Sequence, residues 1–161
     1  EIKSSNIMVD SNFNAKLGDF GLARQVDREK GSQSSVGIGT MNYLAPEYMN
    51  TDKARKESDT FNVGAVLLEV ATGRKAIHHK DMEGEVSLVE WVWEHYGLRN
   101  LLAAADPNLC EEFDVQQMES LLVVGLWWAN PDCASRPPIK QVIKVLKFEA
   151  SLSILPQQIP C

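Results

Sequence analysis

Three polar side chains near the start of the chain could bind a metal ion or a phosphate group, and they flank one predicted β-hairpin. They are Glu1, Asn6 and Asp19. Asp19 offers a carboxylate oxygen and Asn6 an amide oxygen, and Mg²⁺ prefers such hard oxygen ligands. Taken singly, Asp19 also fits a turn carboxylate before Gly21, and Asn6 also fits a turn or cap amide. The chemical interpretation therefore depends on what accompanies them.

Two short apolar runs between Asn6 and Asp19 predict the hairpin that would bring these groups together. Residues 7–9 and 15–17 flank a segment rich in Asp, Asn and Ser, which are turn-forming residues. A tight turn between short strands returns the chain to the edge where it started. We therefore expect Asn6 and Asp19 at the same edge of the hairpin.

The remaining sequence predicts a helical body. An apolar run at residues 63–71, interrupted only by Glu69, predicts a mostly buried helix over 59–73. Capping signals and prolines predict three further helices: 88–96 after Ser87 with Glu90, 115–129 after Asp114, and a last helix from Pro137 with Ile139, Val142, Ile143 and Leu146 on one face. Trp91, Trp93, Trp127 and Trp128 are expected to be packing residues. The Pro- and Gln-rich end, residues 151–161, is expected to be loose.

Composition excludes several classes of function. The chain has 161 residues, is 44% hydrophobic and 24% charged, and should bury the core of one domain. A formal net charge of -6 argues against a general nucleic-acid binder. No run of 18 apolar residues is present, so we expect no membrane contact by the chain itself. Three cysteines without a CxxC pair argue against a zinc site or a disulfide framework.

Several motifs occur in the order found in one large family. Lys3 and Asn6 are followed by the motifs Asp19-Phe20-Gly21 and Ala45-Pro46-Glu47, and then by Asp59 and Arg136. This set resembles the C-terminal lobe of a eukaryotic protein kinase. The segments "IKSSNIM", "AKLGDFGLAR", "GTMNYLAPEY", "GLWWANPDCASRP" and "VLKFEA" resemble plant receptor-like serine/threonine kinases, particularly the legume-lectin receptor kinases.

The resemblance implies a fold that is mainly α with a small β-hairpin, the C-terminal lobe of the α+β protein-kinase-like fold. Residues 1–148 would form a partial kinase domain, from the catalytic loop to the last helix, and 149–161 a C-terminal tail. The N-terminal lobe is expected to be absent from this chain. In agreement with that expectation, the sequence has no Gly-rich phosphate loop and no recognisable strand lysine for the phosphates.

The resemblance also assigns roles to the first residues. Glu1 stands where the family has its catalytic aspartate, and Lys3 stands where serine/threonine kinases contact the transferring phosphate. Asn6 and Asp19 would hold Mg²⁺ and, through it, ATP. Glutamate is one methylene longer than aspartate, and a misplacement of about 1 Å can cost around 10²-fold in rate, so we expect weakened chemistry. In the alternative interpretation Glu1 is only the boundary residue of this sequence and has no catalytic role.

Two further groups are implied by the same resemblance. Residues between Asp19 and Glu47 would form an activation segment, in which added phosphate orders the loop or Thr40 seats the substrate: Ser32, Ser34, Ser35 and Thr40. Three others would be structural: Glu47 and Arg136 as a buried ion pair, and Asp59 as a contact to the catalytic-loop backbone or a helix N-cap.

The function implied for a full-length parent is transfer of the ATP γ-phosphate to protein serine or threonine. Its partners would be a protein substrate and an upstream kinase N-lobe, and its place the cytoplasmic side of the plasma membrane, or the cytoplasm if the chain is expressed alone. The isolated chain is expected to be inactive. Two alternatives remain open: a non-catalytic, pseudokinase-like docking module, and a non-functional truncated gene product.

Overall fold

The structure, a computed structural model, describes residues 2–18, 43, 45–47, 56–76, 86–110 and 112–160, with only the backbone at Lys56. Within these ranges the chain forms a two-stranded antiparallel sheet and four α-helices of eight or more residues. The strands are β1 (Ile7–Val9) and β2 (Ala15–Leu17); the helices are α1 (Lys56–Thr72), α2 (Leu88–Gly97), α3 (Val115–Trp128) and α4 (Ile139–Leu146). The predicted mainly helical fold with a small hairpin is confirmed.

The turn of the hairpin is stabilised by one aspartate. The register pairs Ile7 with Leu17 at the open end of the two strands. In the turn, Oδ1 of Asp10 accepts the backbone N–H groups of Asn12 at 2.9 Å and Asn14 at 3.0 Å. These hydrogen bonds, led by those from Asn14, lower the pKa of the Asp10 carboxyl. The predicted turn residues therefore close the hairpin through their side chains.

The helix ends follow local capping chemistry. Oγ of Ser87 accepts the backbone N–H of Glu90 at 3.2 Å, and the Glu90 carboxylate accepts the backbone N–H of Ser87 at 3.1 Å, so the predicted capping box of α2 is confirmed. The Asp114 carboxylate caps α3 by accepting the N–H of Gln117 at 2.9 Å. Gly73, with a φ of 68°, lies directly after α1, where a left-handed residue ends a helix at low cost.

The core forms where α1 crosses α3, and two glycines set the distance between these helices. A Cβ atom on Gly64 would lie 2.6 Å from the backbone nitrogen of Ala129 and 2.8 Å from the carbonyl oxygen of Gly125. A Cβ atom on Gly125 would lie 2.6 Å from Cδ2 of Leu68. Four side chains around this crossing have no exposed surface: Leu68, Leu122, Val124 and Leu126. The two glycines thus allow the close contact that buries these side chains.

The tryptophans pack as expected. Trp93 and Trp128 are buried, while Trp91 and Trp127 are half-buried against the core. Trp93 lies in the cluster around α2 and α3, and Trp128 lies in a second cluster beside α4. None of the described helices is both long enough and apolar enough to cross a bilayer.

One prediction about the C-terminal part is confirmed and one is wrong. The last helix forms at Ile139–Leu146, and the spacing of Ile139, Val142, Ile143 and Leu146 places them on one face of it. Of these four only Val142 is buried, next to Val145 in the second core cluster, while Ile139, Ile143 and Leu146 are exposed. The prediction of a loose tail is wrong: Leu155 is buried, and the carbonyl oxygen of Pro156 accepts the indole N–H of Trp93 in α2.

Candidate functional site

The segment before β1 forms a single 3-10 turn that buries one predicted ligand. The turn covers Ser4–Asn6, and the N–H of Asn6 donates to the carbonyl oxygen of Lys3 at 3.0 Å. Asn6 is only 8% exposed, whereas Lys3 is half-buried. The short turn therefore fixes the backbone from which both predicted site residues project.

The hairpin brings Gly18, the residue before the predicted ligand Asp19, next to the predicted ligand Asn6. The backbone N–H of Gly18 donates to the carbonyl oxygen of Asn6 at 2.7 Å, directly beyond the strand pair that starts with Ile7 and Leu17. Asp19 follows Gly18 in the sequence and itself lies outside the described residues. The expected proximity is thus present up to the residue before Asp19.

Several predicted site residues lie outside the part of the chain that the structure describes. They are Glu1, Asp19, Ser32, Ser34, Ser35 and Thr40. Their catalytic, metal-binding and activation-segment roles stay predictions. Within the described ranges, no group of three or more His, Cys, Asp and Glu side chains could hold a metal ion. Asn6 offers an amide oxygen, a ligand type that Mg²⁺ accepts, and in the structure this oxygen accepts a hydrogen bond from Oγ of Ser5 at 3.5 Å.

Glu47 and Arg136, which are far apart in sequence, form a bidentate ion pair. Nη1 of Arg136 donates to Oε1 of Glu47 at 2.6 Å, and Nη2 donates to Oε2 at 2.8 Å. The side chain of Arg136 is 1% exposed and that of Glu47 is 14% exposed. This pair ties the segment at residues 45–47 to the helical body.

The Arg136 guanidinium makes further hydrogen bonds to backbone carbonyl groups. Nε donates to the carbonyl oxygen of Asn130 at 2.8 Å, and Nη1 also donates to that of Glu57 at 2.7 Å. The guanidinium carbon lies 5.0 Å from the ring centroid of Phe61. Because Glu57 and Phe61 belong to α1, one arginine joins the start of α1 to the segment after α3.

The environment of Glu47 favours its charged form. Burial by itself raises the pKa of the Glu47 carboxyl, but the hydrogen bonds and positive charge of Arg136 outweigh burial and hold this pKa below its usual value. Oγ of Ser58 adds a third hydrogen bond, to Oε1 of Glu47, at 3.0 Å. The buried arginine therefore faces a fully ionised carboxylate at neutral pH.

Asp59 does not cap its helix. The structure starts α1 at Lys56, so Asp59 lies within the first turn and is exposed, and the N-cap interpretation is wrong. The helix start was predicted too late because the residues before Phe61 are polar and show no helical periodicity of apolar residues. Together with Glu57, Asp59 places negative charge in the first turn, where the helix dipole favours it. Contact of Asp59 with the catalytic-loop backbone stays a prediction.

A series of hydrogen bonds that the sequence did not predict reaches the turn containing Asn6. The Tyr43 hydroxyl donates to Oε2 of Glu69 at 2.6 Å and lies 3.0 Å from Oγ of Ser4. Oε1 of Glu69 accepts the backbone N–H of Ala76 at 2.6 Å. Burial, followed by the hydrogen bond to Glu69, raises the pKa of the Tyr43 hydroxyl.

The sequence feature that points to these hydrogen bonds is a single charged residue, Glu69, in an apolar run. Glu69 is 8% exposed in the last turn of α1, and a buried carboxylate needs hydrogen-bond donors. The sequence marks Glu69 as the one charge in this run but does not identify Tyr43 and Ala76 as the donors. Both oxygens of Glu69 are occupied, so Glu69 links α1 to the Tyr43 segment and, through Ser4, to the Asn6 turn.

Comparison with known sequences shows the family to which this chain belongs. A model of the protein kinase domain matches residues 1–145. The L-type lectin-domain containing receptor kinase IX.1 of Arabidopsis thaliana is 49% identical over 163 residues, covering 99% of this chain and 25% of that protein. The L-type lectin-domain containing receptor kinase S.7 of Oryza sativa subsp. japonica is 42% identical, covering 99% of this chain and 22% of that protein. The chain thus spans a quarter or less of the length of these two relatives.

Comparison with solved structures agrees. The pseudokinase domain of BIR2, an immune regulator of the RLK/Pelle family, superposes with a TM-score of 0.71 at 29% identity, covering 91% of this chain and 42% of that one. The chain belongs to the protein kinase domain family and resembles the C-terminal lobe of the plant L-type lectin receptor kinases.

Proposed function

We propose that residues 1–148 form the half of a serine/threonine kinase site that binds Mg²⁺ and the protein substrate. Residues 149–161 are the tail that follows this kinase part. The observation that carries the proposal is the 2.7 Å hydrogen bond from the Gly18 N–H to the Asn6 carbonyl oxygen. This hydrogen bond holds the residue before Asp19 next to Asn6. Two ligands of one metal–nucleotide complex must lie close together, and this position of the backbone suits that requirement.

In this proposal each of the four predicted site residues near the hairpin has one role in phosphate transfer. Asn6 and Asp19 provide oxygen ligands for the Mg²⁺ that accompanies ATP, and ATP supplies the phosphoryl group. Lys3 neutralises negative charge on the transferred phosphate, and Glu1 accepts the proton of the serine or threonine hydroxyl. The extra methylene of Glu1 displaces the base, so the rate is low for a kinase.

The segment between Asp19 and Glu47 presents the substrate. Thr40 seats the acceptor beside the catalytic loop, and phosphate added to Ser32, Ser34 or Ser35 orders the segment. The Glu47–Arg136 pair supports this role because it anchors the end of the segment to α1 and to the residues after α3. The Tyr43–Glu69 contact provides a second anchor on the same segment.

ATP binding needs an N-terminal lobe, which we propose as the main partner of this chain, together with a protein substrate. The sequence contains neither a Gly-rich phosphate loop nor a recognisable strand lysine, so the 161 residues taken alone should transfer no phosphate. The chain is similar to receptor kinases, and in a receptor-like parent we place the domain at the cytoplasmic side of the plasma membrane.

A non-catalytic docking module is the second candidate. Two observations favour it: one solved structure that the chain resembles is a pseudokinase domain, and Glu1 stands in place of the aspartate expected at the base position. A docking module needs the anchored helical body but no working base. The third possibility, a truncated product without a function, predicts neither activity nor a specific partner.

A chimeric kinase separates these candidates. Residues 1–148 replace the matching segment in the kinase domain of the L-type lectin-domain containing receptor kinase IX.1, and phosphate transfer from ATP to a generic protein substrate is measured. We expect phosphoserine and phosphothreonine, loss of transfer in Asp19→Ala, and no change in the surface variant Glu112→Ala. Glu1→Asp should raise the rate about tenfold or more. A folded chimera that stays inert, even with Glu1→Asp, would support the docking module.

A further inference from the structure

The C-terminal tail has no regular secondary structure, yet it lies on the body in a fixed register. Leu155 is 6% exposed and belongs to the main core cluster, against which Leu152 and Ile159 also pack. Between these anchors, Ile154 is 95% exposed. Apolar side chains that alternate between buried anchors and solvent are typical of a peptide bound in an extended form.

Two aromatic side chains of α2 bind the backbone of the tail. The indole N–H of Trp93 donates to the carbonyl oxygen of Pro156 at 3.0 Å. The N–H of Leu155 donates to the Tyr96 hydroxyl oxygen at 2.9 Å, and that hydroxyl lies 3.3 Å from the Leu155 carbonyl oxygen. Trp93 is 1% exposed, so without the tail its buried indole N–H would lose this acceptor.

A glycine makes room for the tail backbone at the end of α2. A Cβ atom on Gly97 would overlap the carbonyl oxygen of Gln157, which is a backbone atom and cannot rotate away. The φ of Gly97 is negative, so no left-handed conformation requires glycine there. The absence of a side chain at Gly97 is therefore explained by the approach of the tail and not by the local backbone.

We propose that Trp93, Tyr96 and Gly97 form a peptide-binding site on α2 whose ligand is the chain's own tail, residues 152–160. The class of ligand is an extended peptide with a leucine anchor followed by proline. Proline suits this position because it donates no hydrogen bond and restricts the unbound peptide, while its carbonyl oxygen accepts from Trp93. The folded unit accordingly extends to residue 160, beyond the family match that ends at 145.

The first test compares two neighbouring residues in the full chain. Leu155→Asp should lower the thermal unfolding midpoint by about 5 °C or more, because it places a charge in the core cluster. Ile154→Asp is the matched control and should leave the midpoint within about 1 °C. Equal effects of the two substitutions would overturn the proposal.

The second test uses a milder change and a local measurement. Gly97→Ala in the full chain should speed hydrogen exchange at the Leu155 amide about tenfold, as expected when one or two hydrogen bonds are lost. Amides in the first turns of α3 should keep their exchange rates. An unchanged rate at Leu155 would show that Gly97 does not admit the tail, and would contradict the site as described.

The third test measures binding directly. A fluorescently labelled peptide of residues 149–161 is titrated into the full-length Leu155→Asp chain, whose own tail is disengaged, and into the unaltered chain. We expect saturable binding to Leu155→Asp, weaker binding to the unaltered chain because its site is filled, and no binding of a peptide that itself carries Leu155→Asp. Absence of binding to Leu155→Asp, or equal binding to both chains, would overturn the proposal.

Discussion

The carboxylate of Glu47 and the guanidinium of Arg136 form a bidentate ion pair with donor–acceptor distances of 2.6 and 2.8 Å, although 89 positions separate them in the sequence. Arg136 also donates to backbone carbonyl groups of α1 and of the segment after α3. The arginine therefore connects three parts of the chain, whereas Glu47 has the arginine and Ser58 as side-chain partners. This asymmetry leads to the first prediction.

Removal of Arg136 should destabilise the protein more than removal of the charge on Glu47. Arg136→Met removes the arginine donors from Glu47 and from the backbone carbonyl groups of Asn130, Pro131 and Glu57, which should lower the free energy of unfolding by about 3–5 kcal/mol. Glu47→Gln keeps an acceptor for Arg136 and should cost about 1–3 kcal/mol. Urea unfolding of the full chain, followed by tryptophan fluorescence, measures both. Arg99→Met is the exposed control, and a larger loss in Glu47→Gln would contradict this account.

The contribution of the Glu47 carboxylate should disappear in acid. Its pKa in the folded chain lies below the ordinary value of 4.5, so the unfolded chain binds the proton more tightly and stability falls as pH decreases. The difference in unfolding free energy between the unaltered chain and Glu47→Gln should be constant above about pH 5.5 and should shrink as pH falls through the lowered pKa. A difference that stays constant down to the acid transition would show that the pair does not shift this pKa.

The Tyr43 hydroxyl should matter for stability through Glu69. Tyr43→Phe removes the 2.6 Å hydrogen bond and leaves one oxygen of a buried carboxylate without that donor, at a cost of about 1–3 kcal/mol in the free energy of unfolding. Ser4→Ala removes only the outer contact of the same hydroxyl and is the matched control, with a smaller loss. If the two substitutions cost the same, the contact between Tyr43 and Glu69 is not the anchor described here.

Gly64→Ala should destabilise the protein although alanine favours helices. The new methyl group would meet backbone atoms of Ala129, Gly125 and Trp128 within 2.9 Å, so α1 and α3 must separate, at a cost of about 1–3 kcal/mol. Gly18→Ala is the control, because its methyl group would meet the flexible, exposed end of Met8. Thermal unfolding of both variants measures the difference, and a stabilised Gly64→Ala chain would refute the close helix crossing.

Local chemistry was predictable from the sequence. Each helix cap depends on two residues that are three positions apart in the sequence. The structure contains both the capping box of Ser87 and Glu90 and the cap at Asp114. The hairpin followed from two short apolar runs around turn residues. The start of α1 was predicted three residues too late, because the polar residues of its first turn show no apolar periodicity.

Contacts between distant segments were predictable only in part. The sequence shows Glu69 as a single charge in an apolar run but does not show that the Tyr43 hydroxyl donates to it. The tail looked loose because its prolines and glutamines have no periodicity, and its packing depends on the surface that Trp93, Tyr96 and Gly97 present on α2. A binding surface of that kind exists only once the helices have assembled.

The central claim, that this chain supplies one half of a phosphoryl-transfer site, is tested most directly by one assay on two proteins. Transfer of the ATP γ-phosphate to a protein substrate is measured for the isolated 161-residue chain and for the chimeric kinase, each with and without Asp19→Ala. We predict transfer by the chimera that depends on Asp19, and no transfer by the isolated chain above its Asp19→Ala variant. Turnover by the isolated chain that Asp19→Ala abolishes, or chimera activity that survives Asp19→Ala, would contradict the account.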